Sequence, residues 1–379
     1  MGVAGLASSA IELTADLVRL RSVNPPGEES ACARLVAGIL EGAGFQVSTH
    51  DLAEGRTNVV AVLKGAGGKE PLCFTGHLDT VPFGAAPWQH DPLAAERDGD
   101  KLYGRGTSDM KSGVAAMVFA ALQVAGLKQR AADLVLVFTV GEETGCDGAR
   151  YLAQLGNVLP RAGALLVGEP TGNVPLIGHK GALWLKAAFK GVTAHGSMPE
   201  LGDNAVLKAA RGVVRLSDHQ FDTDRHHHLG GPSINVGSLH GGMNVNSVPD
   251  AAAVEIDIRT IPGQSNEAIR QEVMAVLGEG AEVSKIVDVG AVASNPQNEW
   301  ISSVFDLYER HSGQRLDPKG APFFTDASVL VPAMGNIPAL ILGPGETAMA
   351  HKTDEYCYAS KIEAAVDLYV EIAKAWMAA

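Results

Sequence analysis

Residues 9–21 place Ile11, Leu13, Leu17, Val18 and Leu20 on roughly one face, the spacing of an amphipathic helix. Asn24-Pro25-Pro26-Gly27 breaks that pattern, and a second helix is predicted from Glu29 to Gly42. Short apolar runs follow at Asn58–Leu63, Leu72–Thr75, Leu134–Val140 and Ala164–Val167, separated by helical stretches at 112–126 and 145–155. Buried strands alternating with helices predict an α/β layer built on a mainly parallel sheet.

Near Gly178 the texture changes. Leu183, Leu185, Ala187 and Phe189 alternate with Trp184, Lys186, Ala188 and Lys190, as in a half-buried strand. A helix over 204–216 and a strand near 233–239 come next. In 252–259, Val254, Ile256 and Ile258 oppose Glu255, Asp257 and Arg259. A helix over 265–277 starts at a Ser265 cap and stops at Gly278. This is the pattern of a smaller α+β module. The α/β pattern resumes with a helix at 298–312, a strand at Pro338–Leu342 and a last helix from Ser360. The expected organisation is therefore a domain made of 1–178 and 295–379, interrupted by an inserted domain at 179–294.

Composition narrows the class. The chain has 379 residues, enough for two cores, with a formal net charge of −13. That charge argues against a nucleic-acid or anionic-membrane partner. Cys32, Cys73, Cys146 and Cys357 are far apart and form no paired motif, which points to a reducing compartment. The first residues lack the basic-then-apolar order of a signal peptide, and no uncharged apolar run approaches the ~20 residues of a membrane span. A cytoplasmic location is the expectation. The run His226–His228 lies in a polar stretch and reads as a solvated loop.

Five segments carry candidate chemistry. Gly76-His77-Leu78-Asp79-Thr80-Val81-Pro82 ends a strand, and in extended chain His77 and Asp79 share a face. A ligating histidine commonly hydrogen-bonds a carboxylate through its other ring nitrogen, which Asp79 is placed to supply. In Tyr103-Gly104-Arg105-Gly106-Thr107-Ser108-Asp109-Met110-Lys111, the glycines do not match a phosphate loop. Asp109 stands just before an Ala-rich helix, as a ligand or as its N-cap. Gly141-Glu142-Glu143-Thr144-Gly145 sets two carboxylates directly after an apolar strand, and Gly168-Glu169-Pro170-Thr171 sets one after the next strand. Ala350-His351-Lys352-Thr353-Asp354-Glu355 follows the last strand. Ligands in open α/β sheets collect at the carboxyl ends of strands. Two histidines and three carboxylates suit a pair of metals sharing one carboxylate, zinc first and cobalt or manganese next.

Taken in order, these segments resemble the M20 metallopeptidase family, which includes acetylornithine deacetylases, succinyl-diaminopimelate desuccinylases, aminoacylases and glutamate carboxypeptidases. The resemblance implies that His77, Asp109 and Glu169 hold one divalent ion, and that Asp109, Glu143 and His351 hold the other. It makes Glu142 the general base and Asp79 the partner of His77. Gly141 departs from the pattern, because many relatives have Asp there. In the insertion, Gly191-Val192-Thr193-Ala194-His195-Gly196-Ser197 resembles the segment that brings a histidine to the oxyanion across a dimer interface. Asn246, in Gly242-Met243-Asn244-Val245-Asn246-Ser247, and Arg259 resemble residues that hold the substrate carboxylate. For Arg259 a salt bridge within its own sheet, with Asp257 or Glu255, is the alternative, and for His195 a plain surface histidine.

The implied activity is removal of an acyl group from a small N-acyl amino acid bearing a free carboxylate, by a homodimer. The stretch from Leu342 to Tyr356 is most like that of acetylornithine deacetylases, with a desuccinylase or dipeptidase as the alternative. A metal-free binding protein on the same fold stands outside that class, and the presence of all five ligand positions and the base disfavours it.

Overall fold

The structure, a computed structural model, describes residues 7–278 and 280–378. It divides into two compact units, Met1–Gly178 with Ala293–Gly320 and Thr325–Ala379, and His179–Val292 with Ala321–Phe324.

In chain order the first unit opens with α1 (Ala10–Arg19), capped by the Ser9 side chain, and α2 (Ser30–Gly42). Strands β1 (Gln46–Ala53), β2 (Arg56–Leu63) and β3 (Lys69–His77) follow, then the short β4 (Lys101–Tyr103). Helix α3 (Ser112–Ala125), β5 (Ala132–Thr139), α4 (Asp147–Gln154) and β6 (Ala164–Val167) complete this half. The second unit contributes β7 (Gly181–Lys190), α5 (Ala205–Asp218), β8 (Ser233–Gly241), β9 (Ala251–Thr260), α6 (Asn266–Leu277) and β10 (Ala281–Val289). The chain then returns with α7 (Glu299–Ser312), α8 (Ala327–Ala333), β11 (Ala339–Ile341), β12 (Tyr356–Tyr358) and α9 (Ala359–Met377).

The main sheet has the order β1-β2-β5-β3-β6-β11. β3 runs parallel to β5 and β6, and β6 parallel to β11, whereas β1, β2 and β5 pair antiparallel. The mainly parallel α/β architecture expected from the sequence is what forms. Helix α3 is apolar on every side, so it is buried, and it packs with α1 and α9 in the same core as the inward residues of the sheet. No described helix is long and apolar enough to cross a membrane.

Two edge strands, β1 and β10, are absent from the sequence-based expectation. Both lie at sheet edges: β1 is mostly exposed and so lacks the apolar period of an interior strand, and the alternation of β10 is interrupted by a register shift between Lys285 and Val287. The short β4, α8 and β12 were also missed.

The second unit is a four-stranded antiparallel sheet in the order β8-β9-β7-β10. Leu183, Leu185 and Phe189 of β7 and Val254, Ile256 and Ile258 of β9 pack with Ala209 and Leu216 of α5 and Val273 and Leu277 of α6. Helix α6 starts on the Ser265 side chain and stops at Gly278 with φ +85. Ala321–Phe324 joins this unit because Lys180 N–H donates to Ala321 O and the Phe324 ring meets Trp184 edge-on. His226 and Gly230 bridge a short turn, on which His227 is exposed.

Candidate active site

The site residues sit at the carboxyl ends of adjacent strands. His77 is the last residue of β3, Glu142 and Glu143 follow β5, and Glu169 follows β6. β11, the next strand across, feeds the loop that carries His351, whose φ is +63. Asp109 comes from the loop between β4 and α3. It is not the N-cap of α3, which starts three residues later.

These side chains converge. His77 Nε2 lies 3.2 Å from Asp109 Oδ1 and 3.6 Å from Glu169 Oε1. His351 Nε2 lies 3.3 Å from Asp109 Oδ2 and 3.1 Å from Glu143 Oε2. Asp109 thus turns one oxygen to each histidine. Within each trio the ligand atoms lie within 4.8 Å of one another, and Asp109 belongs to both trios.

The local electrostatics show what this set accommodates. Burial pushes Glu142, Glu143 and Glu169 up, and neighbouring carboxylates push them further. Burial alone would lower His77, but Glu169, Asp109 and Asp79 outweigh it and hold it well above its usual value. The Asp109 and Glu143 hydrogen bonds push His351 up to about 10. Burial opposes ionisation of Asp109, yet His351 and His77 bring it below the usual carboxylate range. Buried acids crowded around two imidazoles form a concentration of negative charge that a cation relieves. Mixed nitrogen and oxygen donors, with a carboxylate shared between two trios, fit a pair of divalent metal ions.

Asp79 is more than a partner for His77. His77 Nδ1–H donates to the Asp79 backbone oxygen at 3.0 Å, closer than Asp79 Oδ1 at 3.5 Å. The Asp79 carboxylate instead accepts the backbone N–H groups of Glu142 at 3.2 Å and Glu143 at 3.3 Å. It also accepts from Asn24 Nδ2 at 3.0 Å. Asn24 was read from the sequence only as part of a helix-breaking Asn-Pro-Pro-Gly turn, and no local signal distinguishes it. Asp326 was missed as well. Its Oδ2 accepts from Thr139 Oγ1, and burial pushes it up to about 6. Gly141 has φ +69, and a Cβ there would meet Arg56 Nη2 at 2.7 Å, so this turn accommodates glycine where an aspartate would be strained and crowded.

The insertion residues lie within the second unit. His195 is exposed, its Nδ1 is 2.8 Å from Ser197 Oγ, and its backbone bridges Ser247. Asn246 is beside it, its carbonyl accepting from Gly196 N–H at 2.7 Å. Both lie beyond the Lys190/Ala251 end of the sheet. Arg259 sits at the other end of β9, paired to Asp257 with Nε–Oδ1 at 2.9 Å. The salt bridge within its own sheet is therefore present. Ala251 and Arg259 are eight residue steps apart along the strand, about 26 Å at ~3.3 Å per residue.

Residues 73–375 match the family model described as peptidase family M20/M25/M40. The chain belongs to that family. Among its M20 relatives, a probable succinyl-diaminopimelate desuccinylase of Staphylococcus epidermidis is 29% identical, with 97% of each chain covered. An acetylornithine deacetylase of Aliivibrio salmonicida is 28% identical over 86% of each chain. An M20 family metallo-carboxypeptidase from Sulfolobus solfataricus has the same fold, with a TM-score of 0.82 at 17% identity, covering 98% of this chain and 99% of that one. As an M20 protein with this ligand cluster, the chain is a metal-dependent hydrolase of linear amides.

Proposed function

We propose that the protein removes the acyl group from a small N-acyl amino acid with a free carboxylate, using two zinc ions. His77, Asp109 and Glu169 would hold one ion, and Asp109, Glu143 and His351 the other. The observation that carries this reading is Asp109 turning one oxygen to each histidine beside a buried carboxyl, Glu142, that belongs to neither trio. When bound, the ions supply Lewis acidity to the attacking water and the scissile carbonyl.

The chain's own residues do the rest. Glu142 takes a proton from the attacking water and returns it to the leaving amine, a role suited to a carboxyl that burial and Glu169 hold well above its usual value. Asp79 fixes the backbone of Glu142 and Glu143 and, through its main chain, orients the His77 ring. His195 donates to the oxyanion, a contribution of about 2.7–4 kcal/mol for a single donor. Arg259, steadied by Asp257, takes the substrate carboxylate.

Arg259 and Asn246 cannot both reach one small substrate from the same chain, because the length of β9 lies between them. The reading therefore includes a homodimer in which His195 and Asn246 serve the partner's site. An unpaired edge at β8 and the exposed Leu207 and Val214 on the neighbouring α5 provide surface for a second copy.

The Leu342–Tyr356 stretch favours an acetyl group. A succinyl group is the second reading, favoured by a relative named for desuccinylation that covers 97% of the chain. The test is hydrolysis of N-acetylornithine, N-succinyl-diaminopimelate and dipeptides, before and after chelation and zinc return. Cleavage of N-acyl amino acids that is lost on chelation and regained with zinc is expected. Full turnover in metal-stripped protein would overturn the reading.

A further inference from the structure

Arg105 and Glu355 form an ion pair at 2.7 Å, with Arg105 2% and Glu355 0% exposed. Two buried charges of this kind are costly to desolvate, and an apolar pair of similar volume is often as stable. Their presence here is better explained by what their hydrogen bonds hold together.

Glu355 has both oxygens occupied. Oε1 accepts the backbone N–H groups of Ser108 at 2.8 Å and Asp109 at 3.0 Å. Oε2 accepts the Gly106 N–H at 3.1 Å and Arg105 Nη1 at 2.7 Å. Arg105 reaches on from there. Nη1 also donates to Lys352 O at 3.1 Å, and Nη2 donates to Pro82 O at 3.1 Å. The guanidinium lies over Trp88, 5.1 Å from the ring centroid.

Three loops are joined by this pair. Pro82 ends the segment that begins at His77, residues 105–109 carry Asp109, and residues 352–355 follow His351. Ser108 adds a stitch, its Oγ donating to Tyr356 O at 2.7 Å and accepting from Glu346 N–H at 2.9 Å. His351 has the greatest need of such an anchor. Its side chain is 54% exposed and its backbone is left-handed, so few contacts of its own fix where its ring points.

We infer that Arg105 and Glu355 are positioning residues that set the distance between Asp109 and His351, and thereby the affinity of the Asp109–Glu143–His351 group for its metal. The inference rests on the ligand assignment made above. Neither residue belongs to either ligand trio. Their effect is exerted through the Asp109 N–H and the carbonyl that follows His351.

The experiment strips the full-length protein of metal and titrates it with zinc against a competing chelator. Wild type should take up two ions. Glu355→Gln keeps the volume but sets its amide donors against the Gly106 N–H and the guanidinium. Its affinity for one of the two ions should fall about 10- to 100-fold, the usual effect of losing a residue that orients a ligand. The other ion, which keeps His77 and Glu169 and is reached only through the shared Asp109, should lose less affinity. Excess zinc should restore kcat, with KM unchanged throughout. Arg105→Lys keeps the charge but loses the fork to Lys352 O and Pro82 O, and should give a smaller loss at the same ion.

A folded Glu355→Gln protein that binds both ions with native affinity overturns the inference. If that variant does not fold, native affinity in Arg105→Lys overturns it instead. If neither folds, the pair serves the fold alone and the inference is likewise overturned. His351→Ala separates the two levels. Retention of both ions in His351→Ala refutes the ligand assignment itself, whereas loss of one ion there with native binding in Glu355→Gln refutes only the positioning role.

Discussion

Glu142 and Glu143 are neighbours in sequence with different surroundings. Glu143 meets His351 and lies within one ligand trio, whereas Glu142 belongs to neither. Glu142→Ala is therefore expected to lose turnover by about 10²–10⁴-fold while metal content stays near that of wild type. Glu143→Ala should lose metal. Metal analysis beside kcat checks this, and equal metal content with equal rate loss in both variants would end the division of roles. A second residue-scale expectation concerns His179 in the other unit. It is fully buried, and burial lowers it to about 4. Its neutral ring is the form that the fold accepts, so its contribution to stability is complete above about pH 6.5, the unfolded value. That contribution is lost as pH falls towards 4, by about 1.4 kcal/mol per pH unit. His179→Gln should flatten the stability profile between those limits, as measured by denaturant unfolding at a series of pH values. An unchanged slope would show that other groups carry it.

At the scale of elements, the ligand-bearing strand ends were legible because each apolar run stops abruptly at a polar residue. β3 stops at His77, and β5 and β6 stop just before their acids. What stayed hidden was whatever depends on contacts between distant segments. Asn24 looks like turn punctuation until its amide meets Asp79, 55 positions away. Arg105 sits in a glycine-rich loop, and its partner Glu355 lies 250 residues downstream. Edge strand β1 was hidden because exposure removes the alternation that betrays a strand, and β10 because a register shift between Lys285 and Val287 interrupts it. Helix α3 shows a further long-range requirement. A Cβ on Gly113 would stand 2.1 Å from Gly168 O, directly before Glu169. Alanine improves helix propensity by about 1 kcal/mol, while forcing an extra carbon into a packed backbone contact costs about 1–3 kcal/mol. The contact should win. Gly113→Ala is expected to lower the melting temperature and weaken metal binding, because α3 or the Glu169 turn must shift. A more stable variant would show that helix propensity dominates.

At the scale of the molecule, the inserted unit holds His195 and Asn246 at one end of its sheet and Arg259 at the other. Mixing two inactive variants, His195→Ala and Glu142→Ala, tests whether chains share these residues. With donation to the partner, subunit exchange produces heterodimers with one doubly defective site and one intact site, so each heterodimer has about half of a dimer's activity and an equal mixture regains roughly a quarter of wild type. If His195 acts within its own chain, every site keeps a defect and the mixture stays inactive.

The separation along β9 also reaches into ordinary bench practice. In the proposed homodimer, a site that borrows residues from a second chain exists only while two chains are associated, so activity per molecule becomes a property of concentration. Assays run at progressively lower enzyme should show specific activity falling once dissociation sets in, by simple mass action. An inactive variant with an intact His195, added at such dilution, should then raise the rate of the active enzyme rather than leave it unchanged.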